Sequence, residues 1–184
     1  MNKKQAIDEL LTIKDFIRWG FSQLSHADVY FGHGTDNALD EIFSLVLHAL
    51  ELPHDFPEAY LDSRLTTDER TKIAAWIERR IKERIPTAYL THEAWFAHLP
   101  FYVDERVLIP RSPLAELIEA EFSPLVEADN VHRILDLCTG SACIAIACAY
   151  AFVDAQIDAA DISADALAVA KHNIEQHELQ DRVQ

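Results

Sequence analysis

The apolar positions of the first eighty-five residues fall on helical stripes. Ile7, Leu10, Leu11, Ile17, Phe21 and Leu24 recur at helical spacing. Leu39, Ile42, Phe43, Val46 and Leu50 form a second stripe behind Asp36, a residue type that caps helix N-termini. Thr66-x-x-Glu69 has the form of a capping box, and Ile73, Trp76, Ile77, Ile81 and Ile85 follow on one face. Pro86 marks the end of that helix, because its ring cannot continue one. The prediction is a helical bundle over residues 1–85 whose stripes are core and which carries no visible chemistry.

The pattern changes at Pro86. "PTAYLTHEAWFAHLPFYVDERVLIPRS" is rich in aromatic and β-branched residues and predicts one or two short hairpins over 86–112. Turns are expected at Leu99-Pro100 and Asp104-Glu105. Helical character returns from Pro113 to about Leu125, which suits proline at a first helical position. After the polar break "EADN" the chain alternates. Arg133–Leu137 reads as a strand, Ser141–Ala151 as a helix and Gln156–Asp161 as a second strand. Ser163 caps a further helix to about His177. A helix between two strands is the βαβ unit of an open parallel sheet.

Composition adds little to this α/β picture. Nearly half of the 184 residues are apolar and a quarter are charged, a soluble globular balance. No apolar run approaches the roughly 20 residues that span a bilayer. The N-terminus lacks the apolar core and small-residue cleavage site of a signal peptide, so a cytoplasmic location is the default expectation. Cys138, Cys143 and Cys148 are spaced C-x4-C-x4-C, which matches no zinc ribbon, and they read as buried apolar filler without disulfides or metal. The net charge of −15 disfavours direct nucleic-acid binding. Residues 111–184 hold four cations against thirteen acids, a balance that suits a basic protein partner or simply solubility.

The chemistry concentrates in "ILDLCTGSACIAIACAY", residues 134–150. Ligands of open parallel sheets bind beyond the carboxyl ends of the strands, beside the first strand-to-helix turn. Asp136 closes the first strand, Gly140 frees the turn, and the helix start offers backbone N–H groups that can take a carboxylate or a phosphate. Asp161 closes the second strand, 21 residues after Gly140, where a carboxylate commonly meets ribose hydroxyls. No Lys-Ser or Lys-Thr follows the turn, which excludes a P-loop, and G-x-G-x-x-G is absent. Acid at the strand end and no base in the turn suit S-adenosylmethionine, with its ammonium and sulfonium, better than a pyrophosphate. A strand–turn–helix that binds nothing stays open on these residues alone.

This run and "IDAADISADALAVAKHNI" closely resemble the class I methyltransferase motifs of the HemK-like glutamine methyltransferases. So do "RIPTAYLTHEAWF" and "FYVDERVLIPRSPLAELIE". "DLCTGS" and "IPRSP" are similar to the branch that methylates a glutamine of a large-subunit ribosomal protein, and less like the release-factor branch. The resemblance implies a helical substrate-recognition domain at 1–85, a β-hairpin linker at 86–112, and the first part of a Rossmann-like methyltransferase domain at 113–184. It implies S-adenosylmethionine as cofactor, held by Asp136, Cys138, Thr139, Gly140, Ser141 and Ala142 along its methionine part and by Asp161 at the ribose. Pro110 and Arg111 match a segment near that pocket. Tyr89 and Trp95 match family positions too, and burial is the simpler account of both.

Two departures from the family pattern stand out. Ala142 replaces a usual glycine, and its methyl either crowds the cofactor or, at positive φ, costs about 1 kcal/mol. The family's catalytic Asn-Pro-Pro-Tyr does not occur in this sequence. In the family, the Asn side chain and a Pro carbonyl accept the hydrogens of the substrate amide, and the Tyr orients the planar group for in-line methyl transfer. The expectation is an N-terminal fragment with part of a cofactor pocket and no catalytic residue. The alternatives are a non-catalytic module that recognises a ribosomal protein, a release-factor methyltransferase and, well behind, a nicotinamide dehydrogenase.

Overall fold

A computed structural model describes residues 1–32 and 34–184 and divides the chain into two compact units, Met1–Thr91 and His92–Gln184. The first unit contains α1 (Lys3–Glu9), α2 (Ile13–His26), α3 (Ala38–Ala49), α4 (Thr67–Lys82) and the short α5 (Thr87–Thr91). The first apolar stripe is interrupted at Thr12. Its hydroxyl accepts the Asp15 N–H at 3.1 Å, while the Asp15 carboxylate accepts the Thr12 N–H at 3.0 Å. This reciprocal cap satisfies two donors that a new helix start leaves open. Thr66 and Glu69 form the predicted box on α4.

Two boundaries differ from expectation. The cap of α3 is Asn37, not Asp36: its Oδ1 accepts the N–H groups of Leu39 and Asp40 at 3.0 and 2.9 Å. Both residue types cap well, and only the chain's entry angle chooses between neighbours. The helix α4 stops at Lys82, before Pro86, because Arg84 turns left-handed at φ 60°. Pro86 instead leads into α5, where its missing N–H is no loss.

The core of this unit gathers Phe16, Ile42, Leu45, Val46, Ile73 and Ile77 from α2, α3 and α4. Gly20 of α2 lies so close to α3 that an added Cβ would overlap Cγ1 and Cδ1 of Ile42. Phe21 and Leu39, at the margins of their stripes, are exposed. Inside the core, Arg80 of α4 donates through Nε to Oε1 of Glu41 on α3, and Thr87 adds its hydroxyl to the same oxygen at 2.8 Å. Arg80 Nη2 also donates to the Tyr30 carbonyl at 2.8 Å. Both ionic side chains are buried.

The second unit opens with an antiparallel hairpin, β1 (Ala94–Phe96) and β2 (Leu99–Phe101). Phe96 faces Leu99, so the turn is Ala97-His98, with φ of 46° and 61°. The expected turn at Leu99-Pro100 is therefore corrected: both residues lie in β2, Pro100 opposite Trp95. Left-handed backbone at both turn positions normally announces itself as Asn-Gly, and Ala-His carries no such signal. The turn after Asp104 forms as expected, with the Val107 N–H on the Asp104 carbonyl at 3.1 Å.

Next come α6 (Leu114–Glu119), β3 (Arg133–Leu137), α7 (Cys143–Ala151), β4 (Gln156–Ala160) and α8 (Ala164–Gln176). Helix α6 ends well before Leu125, since Glu121 and Phe122 take positive φ. Strands β3 and β4 are parallel, with Asp136 opposite Ala159 and Leu137 opposite Ala160. The last residues run beside β4, where the N–H of Ile157 and of Ala159 donate to the carbonyls of Arg182 and Gln184 at 2.8 Å. Helix α7 starts two residues later than expected, because Ser141 and Ala142 belong to the turn. Its Ala145, Ile146 and Ala149 are fully buried, in one core with Ile157, Phe101 and Phe152. From α8, Asn173 and the following His177 bond the hairpin segment at Tyr102 and Pro100. Among the described residues no helix is long and apolar enough to cross a membrane.

Candidate cofactor site

The parallel register brings the ends of β3 and β4 side by side, so the turn at 138–142 and Asp161 meet. Asp136 points inward and is buried. Its Oδ2 accepts the Thr139 hydroxyl at 2.6 Å. Burial pushes this carboxyl above its ordinary value against the hydrogen bond from Thr139, and the nearby charge of Asp161 adds to the push. Asp161 is its opposite. Oδ1 accepts the Ser163 N–H and Oδ2 the Gly140 N–H, each at 2.9 Å, and these two donors hold it below the usual carboxylate value.

The backbone of the turn is unusual. Cys138, Gly140 and Ala142 take φ of 63°, 56° and 64°, at every second position. Several of the N–H groups expected to await an anion are already engaged. Thr139 donates to the Ala160 carbonyl at 3.0 Å and Ala142 to the Thr139 carbonyl at 2.9 Å, while Gly140 donates to Asp161. These donors of the turn are thus taken up by the end of β4, by Asp161 and by Thr139, and two carboxylates and no basic side chain flank it.

Space remains beside Gly140, where an added Cβ would meet no atom within 4 Å. Cys138 is exposed and Asp161 half-exposed next to that opening, while Thr139, Ser141 and Ala142 are buried. The Ala142 methyl lies in the apolar core of the unit and does not fill the opening. The residue's φ of 64° is the positive value at which an alanine carries a conformational cost. The structure therefore brings Asp136, Cys138, Thr139, Gly140, Ser141, Ala142 and Asp161 to one place. Arg111 and Pro110 lie on the irregular segment before α6, with Arg111 exposed.

Two expectations of burial are corrected. Trp95 is 52% exposed, since alternation along β1 turns it away while Ala94 and Phe96 face inward. Its Nε1 donates to Glu93 Oε1 at 2.9 Å. Cys138 is exposed because it sits on the turn, outside α7. Cys143 and Cys148 are buried, and burial pushes both thiols up to about 11. One further residue lies within the run "IDAADISADALAVAKHNI" and is not among the expected site residues. Asn173 is a fully buried polar side chain on the stripe Ala166, Val169, Ala170, Asn173 of α8, and a polar member of a core stripe is the signal that could have found it.

The model of the family described as Methyltransferase small domain matches residues 121–184. The ribosomal protein uL3 glutamine methyltransferase of Neisseria gonorrhoeae (strain ATCC 700825 / FA 1090) is 52% identical over 181 residues, 98% of this chain and 60% of that protein. The protein of the same name from Neisseria meningitidis serogroup B (strain ATCC BAA-335 / MC58) is 52% identical over 180 residues, 97% of this chain and 59% of that protein. The chain spans about three fifths of the length of these curated relatives. The chain is thus similar to these glutamine methyltransferases over nearly all of its own length, and its last third matches the methyltransferase family model.

Proposed function

We propose that this chain is part of an S-adenosylmethionine-dependent enzyme that methylates the side-chain amide of a glutamine in ribosomal protein uL3. The observation that carries this reading is the turn at Gly140, open on one side and bracketed by Asp136 and Asp161 at the tips of adjacent parallel strands. When bound, S-adenosylmethionine supplies an electrophilic methyl on sulfonium, which passes to the amide nitrogen as the carbon–sulfur bond breaks and the nitrogen loses a proton.

The residues of the turn suit that ligand. A carboxylate has about four lone-pair positions, and Asp161 uses two on backbone donors, leaving acceptors for the ribose hydroxyls. Asp136 and Asp161 make the opening electronegative, which favours an ammonium and a sulfonium over phosphates. Gly140 lets the ligand approach the backbone, and Cys138 and Thr139 flank it. Residues 113–184 are then the first part of a Rossmann-like domain behind the hairpin linker, and the helical residues 1–85 recognise the protein substrate. The acidic chain attracts a basic ribosomal protein rather than nucleic acid.

The test is isothermal titration of S-adenosylmethionine into this chain and into a form completed with the remaining two fifths of a relative's length. Transfer of labelled methyl from the completed form to uL3 is then followed. Saturable binding lost in Asp161→Ala, together with label on a uL3 glutamine, is the expected result. Label on a release factor instead moves the substrate to the other branch. Binding without any transfer leaves a non-catalytic module, and no binding in either form removes the cofactor reading.

A further inference from the structure

Asn173 has no solvent-accessible surface, and its amide reaches two separate parts of the second unit. Oδ1 accepts the Tyr102 N–H at 2.8 Å, and Nδ2 donates to the Tyr102 carbonyl at 3.0 Å. The other Nδ2 hydrogen goes to the Ser141 carbonyl at 2.9 Å. Both amide donors are thereby used. Asn173 holds Tyr102 as a neighbouring strand would, and with its last proton holds the turn before α7.

The Ser141 carbonyl and the Ala142 N–H belong to one peptide group. Its N–H donates to the Thr139 carbonyl at 2.9 Å, so the group is held at both ends. Rotating it would change ψ of Ser141 and φ of Ala142 together. Ala142 sits at φ 64°, a conformation that disfavours an L residue and persists only where surrounding contacts impose it. The simplest relaxation is a flip of this peptide, which returns Ala142 to negative φ and breaks both hydrogen bonds.

We propose that Asn173 is a positioning residue that locks the Ser141–Ala142 peptide. The lock keeps the Gly140 turn in the shape that receives the cofactor and ties that turn to the hairpin through Tyr102. Its consequence for binding rests on the cofactor reading above, whereas the lock itself does not. The neighbouring bond from His177 Nε2 to the Pro100 carbonyl, 2.9 Å, also joins the end of α8 to the hairpin but leaves Ser141 untouched, which makes it a control.

Residue-resolved amide exchange by NMR on this chain tests the lock. In Asn173→Ala the Ala142 N–H is expected to exchange at least about tenfold faster, equivalent to about 1.4 kcal/mol, while Ala145 and Ile146 of α7 keep their rates. His177→Ala is expected to leave Ala142 unchanged. In whichever form binds S-adenosylhomocysteine, Asn173→Ala should weaken Kd about tenfold. Adding Ala142→Gly should recover part of that loss, because glycine tolerates positive φ. An equal rise in exchange throughout α7, or none at Ala142, overturns the proposal, as does a Kd loss that glycine leaves unrelieved. Asn173→Ser, which keeps one donor, serves if the alanine variant does not fold. If the parent itself fails to bind, the cofactor reading falls and exchange at Ala142 still decides the lock.

Discussion

The Asp161 carboxylate and the Gly140 N–H are 21 positions apart in the chain and 2.9 Å apart in space. The bond ties the tip of β4 to the turn after β3, so the acid proposed to receive ribose hydroxyls also braces the turn. Stability and binding are therefore coupled at this one side chain.

Asp161→Asn removes that brace. The folded carboxyl lies below its ordinary 3.8 because Ser163 and Gly140 donate to the ionised form. A carboxyl lowered in the folded state contributes stability above the unfolded pKa, and the contribution fades as pH falls through the folded pKa. The variant should be less stable than the parent at neutral pH, and the two should converge as pH falls through the lowered carboxyl value. Urea midpoints measured across that range check it.

Asp136 has the opposite slope. Burial raises its carboxyl above 3.8, so ionisation weighs on the folded state increasingly as pH rises through the folded pKa. Asp136→Asn keeps an acceptor for Thr139 and removes the charge. Its melting temperature relative to the parent should climb as pH rises from the ordinary carboxyl value through the raised one, while cofactor affinity falls because the cationic ligand loses a carboxylate. A relative melting temperature that is flat with pH would contradict the burial argument.

Ala142→Gly should raise stability by up to about 1 kcal/mol, because φ of 64° carries no penalty for glycine. The methyl it removes is buried, and the small cavity subtracts from the gain. Chemical denaturation of the two proteins gives the difference directly.

Breaking the ion pair of the first unit should be far more damaging. Glu41→Ala strands the Arg80 guanidinium in the core and removes an acceptor of Thr87, for a loss of about 3–5 kcal/mol. Replacing both charges, as Glu41→Leu with Arg80→Met, should recover most of that, since no unpaired charge is left behind. A double variant as unstable as the single one would show that geometry, not charge burial, governs the site.

Thiol titration under native conditions should find one fast-reacting cysteine among three. Cys138 is exposed, whereas Cys143 and Cys148 are buried with thiols pushed up to about 11. Cys138→Ser should abolish the fast phase, and bound cofactor should slow it if the ligand lies beside Gly140.

Elements governed by neighbours within a few residues are legible in the sequence itself. Thr66 with Glu69 and Ser163 with Ala166 cap the helices that their positions predict, and β3 spans the expected Arg133–Leu137. The turn at Gly140 is legible in the same way, as a strand ending in acid, then glycine, then small residues. Its hydrogen bonding is not. That Gly140 gives its N–H to Asp161, and that the Ala142 methyl enters the core, depend on residues brought in from β4 and α8.

Periodicity and capping thus determined the helical first unit and the strand–turn–helix order of the second, because those signals arise between residues one turn or one pleat apart. Tertiary structure decided the rest. It chose Asn37 over Asp36, set the hairpin turn at Ala97-His98, turned Trp95 outward and placed Asn173 between Tyr102 and Ser141. The hairpin turn depends on left-handed backbone and the place of Asn173 on partners distant in the chain, and residue type alone encodes neither.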